Sequence, residues 1–519
     1  MTRPRILITE TLGQEGIDML REIADVDAYD LLPKEQLPEI LGNYDAVIIR
    51  SAHRLPREVL ANRPQLKVVA RAGSGVDNVD LKACTEFGIA VVNAPGANAI
   101  AAAEQAFGHM LTILRNIHLG DAHVREGGWN RKKFLGGELH ERKLGIIGFG
   151  KVGREAARIA HGFRMTVYAY DPFVSDEIFQ AHNVTRIDSL EDLMPVSDVL
   201  TLHTPKSGPQ IDMNLLSRLP QGAIVVNVAR GGMIDEEALA ELLDMGHLLG
   251  VGLDVFSQEP PPRDFPLFKH PRAVLTPHLG GSTQEAMTGV AVMTAQGVIA
   301  ALQGQTPPNI VNVPVPPLSP DEFGILDEGA RVVGRIFAQM NKKITAPLVL
   351  TLQGPIAQNA IPWLKQTVLA AVLSEQLDGR VNAVNAPIKA EEQGLKLLVE
   401  ERDPNKPPAL ALRLEGHAKT TTEVVLDNST PRIRHISGIA MDLPWPKNAL
   451  MTVHGDAPGV VGKVGTLVGQ YSVNIGNLHL ARDEMTHKAL MILSLDQTAP
   501  EDLVQDLKKI PEIDQVFVF

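Results

Sequence analysis

Four short apolar runs punctuate the first hundred residues: RILIT (5–9), YDAVIIR (44–50), LKVVARAG (66–73) and IAVVNAP (89–95). Each is too short for a helix. Each is also apolar nearly throughout instead of at alternate positions, so the strand it forms buries both faces. Between them lie segments with helical spacing, such as GQEGIDMLREIA and PREVLANRP. Alternating β and α with doubly buried strands leaves one main solution, a parallel sheet covered by helices on both sides. The pattern restarts at KLGIIGFGKVG and continues to about Leu279, so a second doubly wound sheet follows the first.

The stretch 98–127 reads as one long helix, and WNRKKFLGGELHERK (129–143) as a basic, glycine-containing link. Residues 285–304 are again helical and alanine-rich. The proline-dense stretch TPPNIVNVPVPPLSPDE (306–322) reads as a domain linker. Beyond it, about 325–440 is a less patterned α+β region with strand-like ITAPLVLTLQG and KLLVEERD. From about Asn448 the pieces LMTVHG, GVVGKVGTLVGQY, NIGNLHLARD, ALMILSLD, PEDLVQDLKKI and IDQVFVF follow the order βαββαβ, the ferredoxin-like unit.

Composition narrows the function classes. With 44% hydrophobic and 21% charged residues, the 519-residue chain has ample material for several cores. Its net charge of −12 argues against a nucleic-acid or anionic-membrane binder, while leaving room for a local basic pocket. The single cysteine, Cys84, cannot form an internal disulfide or a cysteine-rich zinc site, and no metal site is expected. No leader-like apolar run opens the chain and none reaches about 18 residues, so a cytoplasmic protein without a membrane span is expected.

Gly148, Gly150 and Gly153 stand in the spacing G-x-G-x-x-G, between an apolar strand and a helix. The first glycine permits the tight turn and the second lets backbone approach a pyrophosphate. The third brings the helix close to the strand, with its amino-terminal N–H groups aimed at the phosphates. The next strand, MTVYAYD, ends in Asp171, 18 residues past Gly153. A carboxylate there accepts both adenosine ribose hydroxyls and repels a 2′-phosphate, so NAD is the expected cofactor rather than NADP.

Three further motifs follow: GAIVVNVARGGMIDEEAL (222–239), VGLDVFSQEPPP (251–262) and LTPHLGGST (275–283). Each delivers a polar residue just past an apolar strand: Arg230, Glu259 and His278. Loops at the carboxyl ends of parallel strands line the ligand crevice of such a sheet. Arginine can hold a carboxylate as a forked cation, histidine can exchange a hydroxyl proton, and a carboxylate on the other ring nitrogen orients the imidazole. Together they suit oxidation or reduction at a 2-hydroxy acid.

Through these motifs residues 1–315 resemble the D-isomer-specific 2-hydroxyacid dehydrogenases. RSAHRL (50–55), RAGSGVDNVD (71–80), NAPGANAIAAAE (93–104) and WNRKKFLGGEL (129–139) resemble the long phosphoglycerate dehydrogenases among them. The resemblance implies a Rossmann-type NAD domain (98–284) inserted in a flavodoxin-like substrate domain (1–97 and 285–315). It implies an allosteric substrate-binding-like domain at 320–445, notably VNAVNAPIKAEEQGLKLLVEERD, and a terminal ACT domain at 448–519. Arg230, Glu259 and His278 would be catalytic. Gly148, Gly150, Lys151, Val152, Gly153, Asp171, Thr204, Val228, Ala229, Asp254 and Gly280 would contact NAD. Arg50, Ser51, Arg54, Ser74, Gly75 and Arg131 would meet a small phosphorylated 2-hydroxy acid, Arg131 and its neighbour Lys132 from across a dimer interface. In the ACT segment, Asp456 is placed to cap the first helix. By resemblance His454, Asp456 and Asn474 would bind an L-serine effector between subunits of a dimer or tetramer. The turn KSGPQIDMNLL after LTLHTP departs from the family's threonine-containing pattern, which bears on ribose contacts and not on the triad. Two rival readings are a glyoxylate or hydroxypyruvate reductase and an NAD-sensing corepressor of the same fold.

Overall fold

Five strands, β1 (Arg5–Ile8), β2 (Asp25–Ala28), β3 (Ala46–Ile49), β4 (Val68–Arg71) and β5 (Ala90–Asn93), form a sheet in the order β2-β1-β3-β4-β5. Its pairings β1–β2, β1–β3 and β3–β4 are parallel. Four of these strands are the apolar runs. The fifth, β2, reads DVDA and is largely exposed, because an edge strand has little buried face to demand apolar side chains. The computed structural model describes every residue except 1, 2, 342, 343, 345, 357, 427–429, 484 and 485.

The second sheet has seven strands: β6 (Lys143–Ile147), β7 (Thr166–Tyr170), β8 (Thr185–Arg186), β9 (Val199–Leu202), β10 (Ala223–Asn227), β11 (Leu248–Leu253) and β12 (Ala273–Leu275). Their order is β12-β11-β10-β9-β6-β7-β8, all parallel. The winding reverses between β6 and β9, and a crevice opens at such a switch point. Along β10, Ile224 and Val226 enter one core with Phe107 and Ala156, while Ala223 and Val225 enter another with Leu239 and Leu242. That alternation into two cores is what the continuous apolar runs encode.

The expected single helix over 98–127 is in fact two, Ala99–Leu114 and Ile117–Arg125. Asn116 between them adopts the left-handed region (φ 53), which asparagine tolerates better than most residues. The helix Gln284–Leu302 is the alanine-rich helix expected over 285–304. Among the described residues it alone is long and apolar enough to cross a membrane. Here it packs along the helix Gln14–Ile23 and on β4, with Gly16 pressed against the backbone of Ala291. Apart from Ala90 and Val91 of β5, these elements belong to one compact unit, comprising the chain up to Arg54, Arg63–Val79 and Val92–Asn309.

The other unit comprises Leu55–Asn62, Asp80–Val91 and Ile310–Phe519. The proline-dense stretch is pinned, not slack: Val311 N–H donates to the Val91 carbonyl (2.7 Å), and Val91 N–H donates to Asn312 Oδ1 (2.9 Å). It ends where Ser319 and Glu322 form a capping box for the helix Pro320–Met340, a motif that stabilises a helix start by about 1 kcal/mol. This helix and Ile361–Leu373 cover a sheet of β13 (Leu348–Gln353), β14 (Leu397–Arg402), β15 (Ala409–Leu414), β16 (His417–Leu426), β17 (Pro431–Ile436) and β18 (Ile439–Pro444), ordered β14-β13-β15-β16-β17-β18 around a buried Trp363.

The last sheet, β19 (Ala449–Gly455), β20 (Ile475–Asp483), β21 (Lys488–Leu495) and β22 (Ile513–Val518), is antiparallel in the order β20-β21-β19-β22. With the helices Val460–Gln470 and Glu501–Leu507 it is the βαββαβ unit read from the pattern. One face, with Met451 and Val453, joins the core of the preceding sheet. Leu450, from the other face, packs with Val464 and Val468 of the first helix.

Candidate active site

The glycine turn is built as its spacing demands. Gly148 has φ 91, and a Cβ there would press on the carbonyl of His203 at 2.7 Å. A Cβ on Gly153 would collide with the Gly148 carbonyl oxygen, so only glycine lets the helix Lys151–Gly162 start this close to β6. Gly150 differs: nothing lies within 4 Å of its added Cβ. That open cradle, at the amino terminus of a twelve-residue helix, fits a pyrophosphate. Val152 follows in the first turn of the helix. Asp171, at the end of β7, accepts from Phe149 N–H (2.8 Å) and Phe173 N–H (2.9 Å), tying it to the turn while each oxygen keeps a further lone pair. Lys151 donates from Nζ to the Pro95 carbonyl at 2.9 Å. Thr204 approaches the Met233 sulfur at 3.6 Å, and Ala229 N–H is held by Asn227 Oδ1 beside the buried Val228.

His278 lies on a turn after β12, and its backbone occupies the left-handed region (φ 58). For a residue with a side chain that conformation costs about 1 kcal/mol, so something must hold it. Asp254, fully buried at the end of β11, does so: it accepts from the N–H groups of Leu279 and Gly280, both at 2.7 Å. It also accepts from Thr276 Oγ1 at 2.5 Å, and that oxygen lies 2.9 Å from His109 Nε2 and 3.2 Å from Gln105 Nε2. Burial lowers the His109 pKa, partly offset by Asp254, which favours the neutral ring. Asp254, expected to touch NAD, is thus engaged by the turn that carries His278.

The imidazole of His278 meets Glu259: Nδ1 and Oε2 are 2.9 Å apart. Glu259 is steadied in turn by Phe256 N–H at 3.2 Å. This pair forms a wall of two cavities. On one side is an apolar hollow of about 420 Å³ with Phe256, Phe268 and Leu275. On the other is a polar cavity of about 320 Å³ whose wall includes Arg50, Ser51, Arg71, Gly73 and Asn98. Asn98 Oδ1 accepts from Ser74 Oγ (2.8 Å). Arg230 lies against Gly75, where a Cβ would collide with its guanidinium, and pairs with Asp77 at 3.3 Å.

Arg71 is the residue that sequence reasoning passed over. It ends β4 and folds its guanidinium across Gly73, a position that any Cβ would block. Burial, then the like charges of Arg230 and Arg50, press its pKa down, and its Nε has no hydrogen-bond partner among the described residues. The signal was present in RAGSG, an arginine followed at once by small residues at a strand's carboxyl end.

Arg54 and Arg131 do not line this cavity; both are exposed, Arg131 on a short turn with Lys132. In the last sheet, His454 is buried, with Nδ1 unpartnered among the described residues. Asp456 does not cap the following helix, which starts at Gly459 in a left-handed conformation (φ 92); it pairs with Arg482 at 3.4 Å. Asn474 bonds Asp496. The strand register places His454 and Asp456 by Lys488–Ala489, and Asn474 by Leu495, so they sit at opposite ends of one sheet.

Comparisons with known proteins bear on the family of the chain. The family model for the NAD-binding domain of D-isomer-specific 2-hydroxyacid dehydrogenases matches residues 107–280. That for the D-3-phosphoglycerate dehydrogenase intervening domain matches 328–436. A D-3-phosphoglycerate dehydrogenase of Methanocaldococcus jannaschii is 35% identical over 99% of both chains. One from a Synechocystis species is 35% identical over 99% of this chain and 94% of its own. Among solved structures, a glyoxylate reductase from Paecilomyes thermophila is 28% identical with a TM-score of 0.55, covering 60% of this chain and 99% of its own. The similarity of the longer relatives runs through both compact units and not only the dehydrogenase core, and on that basis the chain belongs to the D-3-phosphoglycerate dehydrogenase family, within the D-isomer-specific 2-hydroxyacid dehydrogenases.

Proposed function

We propose that the chain oxidises 3-phospho-D-glycerate to 3-phosphohydroxypyruvate with NAD, the entry step to L-serine, using His278 as the acid–base. The observation that carries this assignment of roles is the His278–Glu259 contact at 2.9 Å on the wall of a cavity that also holds Arg50 and Arg71. With Nδ1 committed to Glu259, Nε2 is the nitrogen left to take the hydroxyl proton and to return it in reduction. Glu259 fixes the ring and faces the imidazolium that forms. Arg230 holds the substrate carboxylate, leaving the C2 hydroxyl towards His278. When bound, NAD accepts the hydride from C2, chemistry that no side chain here supplies. The turn Gly148–Gly153 and Asp171 would hold it, with Lys151, Val152, Thr204, Val228, Ala229, Asp254 and Gly280 around it.

Arg50 and Arg71 are the cations for the phosphate, with Ser51, Ser74 and Gly75 beside them. Arg54 and Arg131 join from outside the cavity, Arg131 from a second copy. In support, the Ile117–Arg125 helix buries no residue, and Ile117, Val124, Trp129 and Leu135 are all exposed, an apolar surface that suits a homo-oligomer. The separation of Asn474 from His454 and Asp456 likewise favours an effector site completed by two subunits, with L-serine as the ligand. The domain bounds 1–97 with 285–315, 98–284, 320–445 and 448–519, and a cytoplasmic location, complete the reading.

An NADH-forming assay on 3-phosphoglycerate, with and without serine, tests it. His278→Ala should cut kcat by about 10²–10⁴ and leave NAD affinity near its original value. Undiminished turnover would remove His278 from the chemistry. Equal turnover of hydroxypyruvate and its phosphorylated form would favour the glyoxylate or hydroxypyruvate reductase reading.

A further inference from the structure

The loop that brings Arg50 and Ser51 to the cavity is held from beneath by a carboxylate forty residues earlier. Glu10, buried just past β1, accepts from four consecutive backbone N–H groups: Arg50 at 2.9 Å, Ser51 at 3.1 Å, Ala52 at 3.0 Å and His53 at 3.4 Å. It also meets His53 Nδ1 at 3.2 Å. Consecutive amides turned to one point form a nest for an anion, and this nest is filled by the chain's own side chain. From the other side, Asn78 Nδ2 donates to the carbonyls of Arg50 (2.7 Å) and His53 (2.6 Å). The buried His53 closes the arrangement, with Nε2 at 2.9 Å from the Leu32 carbonyl.

We infer that Glu10 is a positioning residue for recognition of the substrate's phosphate: it sets the 50–53 loop so that Arg50 and Ser51 face the cavity. The inference rests on the phosphate reading of Arg50 and Arg71 given above. Two features make the role specific. Glu10 touches nothing that reacts, and its ties are to the backbone of one loop, so its loss displaces that loop and not the His278 turn. Burial works to raise its carboxyl, but the N–H donors of Ala52 and Arg50, with His53, hold it below the ordinary range, which favours the ionised form that these donors need.

The sign of the effect separates positioning from simple electrostatics. A negative charge near a phosphate site repels the ligand, so neutralising Glu10 would improve phosphate binding if charge were its whole contribution. If it positions the loop, Glu10→Gln turns an NH₂ group towards N–H donors, unseats the loop and weakens phosphate binding.

Reduction of 3-phosphohydroxypyruvate and of hydroxypyruvate by NADH should be compared in the full-length wild type, Glu10→Gln, Asn78→Ala and Arg50→Met. The expected result is a rise of about tenfold or more in KM for the phosphorylated substrate in Glu10→Gln, with kcat, KM for NADH and kcat/KM for hydroxypyruvate within about twofold. Asn78→Ala should reproduce that selective loss in smaller degree, and it carries the same test if Glu10→Gln fails to fold. A KM that is unchanged or lower while Arg50→Met loses phosphate selectivity overturns the role of Glu10 alone. Equal losses on both substrates overturn it too, since they mark general damage. If Arg50→Met keeps its selectivity, the phosphate reading fails first and takes this inference with it.

Discussion

Thr276→Val removes one oxygen from the centre of the network that holds His278, at nearly constant shape. In the native protein that hydroxyl donates to the buried Asp254 at 2.5 Å and lies 2.9 Å from His109 Nε2. A hydrogen bond to a charged group contributes about 1.5–3 kcal/mol and a neutral one about 1, so the local loss is about 2–4 kcal/mol. Asp254 keeps the N–H groups of Leu279 and Gly280, but two ties instead of three must now hold His278 in its left-handed backbone. If half of that loss appears as mispositioning of the imidazole, it is about 1–2 kcal/mol of barrier, or roughly 5–30-fold in kcat. Steady-state NADH formation reads kcat directly, and KM for NAD and substrate should stay within about twofold. Thr276→Ser, which keeps the hydroxyl, should recover most of the rate. A lowered melting temperature with unchanged kcat would show that the network only stabilises the fold, and would refute the reasoning.

Gly150→Ala and Gly153→Ala should part company. The first adds a methyl where no protein atom lies within 4 Å, so thermal stability holds while KM for NAD rises about tenfold or more; an unchanged KM would place the phosphates elsewhere. The second drives a methyl into the Gly148 carbonyl and should lower the melting temperature as well. Burial pushes the His203 imidazole from 6.5 down to about 4. Between those values the unfolded chain binds the proton and the folded one does not. Stability therefore rises with pH across that window and is lost on acidification, by at most about 3 kcal/mol. His203→Gln should flatten the slope between those pH values relative to wild type; identical slopes would show that His203 is not the group responsible.

What could be read in advance follows from how each feature is encoded. Arg230, Glu259 and His278 each follow an apolar strand within a few residues, so strand end and candidate residue are written in one motif. The doubly wound sheets were legible for the same reason, since burial on both faces leaves continuous apolar runs. The strands β15 to β18 were not, because one-sided antiparallel hairpins mix polar and apolar positions and carry a weaker signal. The break at Asn116 was missed because helical spacing continues on both sides of it. Asp456 was misplaced because a left-handed Gly459 starts the helix instead, and spacing alone does not distinguish the two.

The cavity's charge is the feature that sequence could not assemble. Arg50, Arg71 and Arg230 lie apart in the chain, yet the charges of Arg230 and Arg50 both depress the Arg71 pKa. The carboxylates that oppose this are Asp77, bound to Arg230, and Glu10, spent on the amides of residues 50–53. Glu259 stands on the wall of the same cavity and is engaged with His278, so Asp77, Glu10 and Glu259 all already have partners. Like charges repel, so an anion placed among the three guanidinium groups would be favoured there. A 2-hydroxy acid with only its carboxylate would answer Arg230 and leave Arg50 and Arg71 opposed. On the proposed reading, one that also carries a phosphate would answer all three, and the Arg50 and Arg71 pair, more than Arg230, Glu259 and His278, would set a phosphorylated substrate apart from shorter acids.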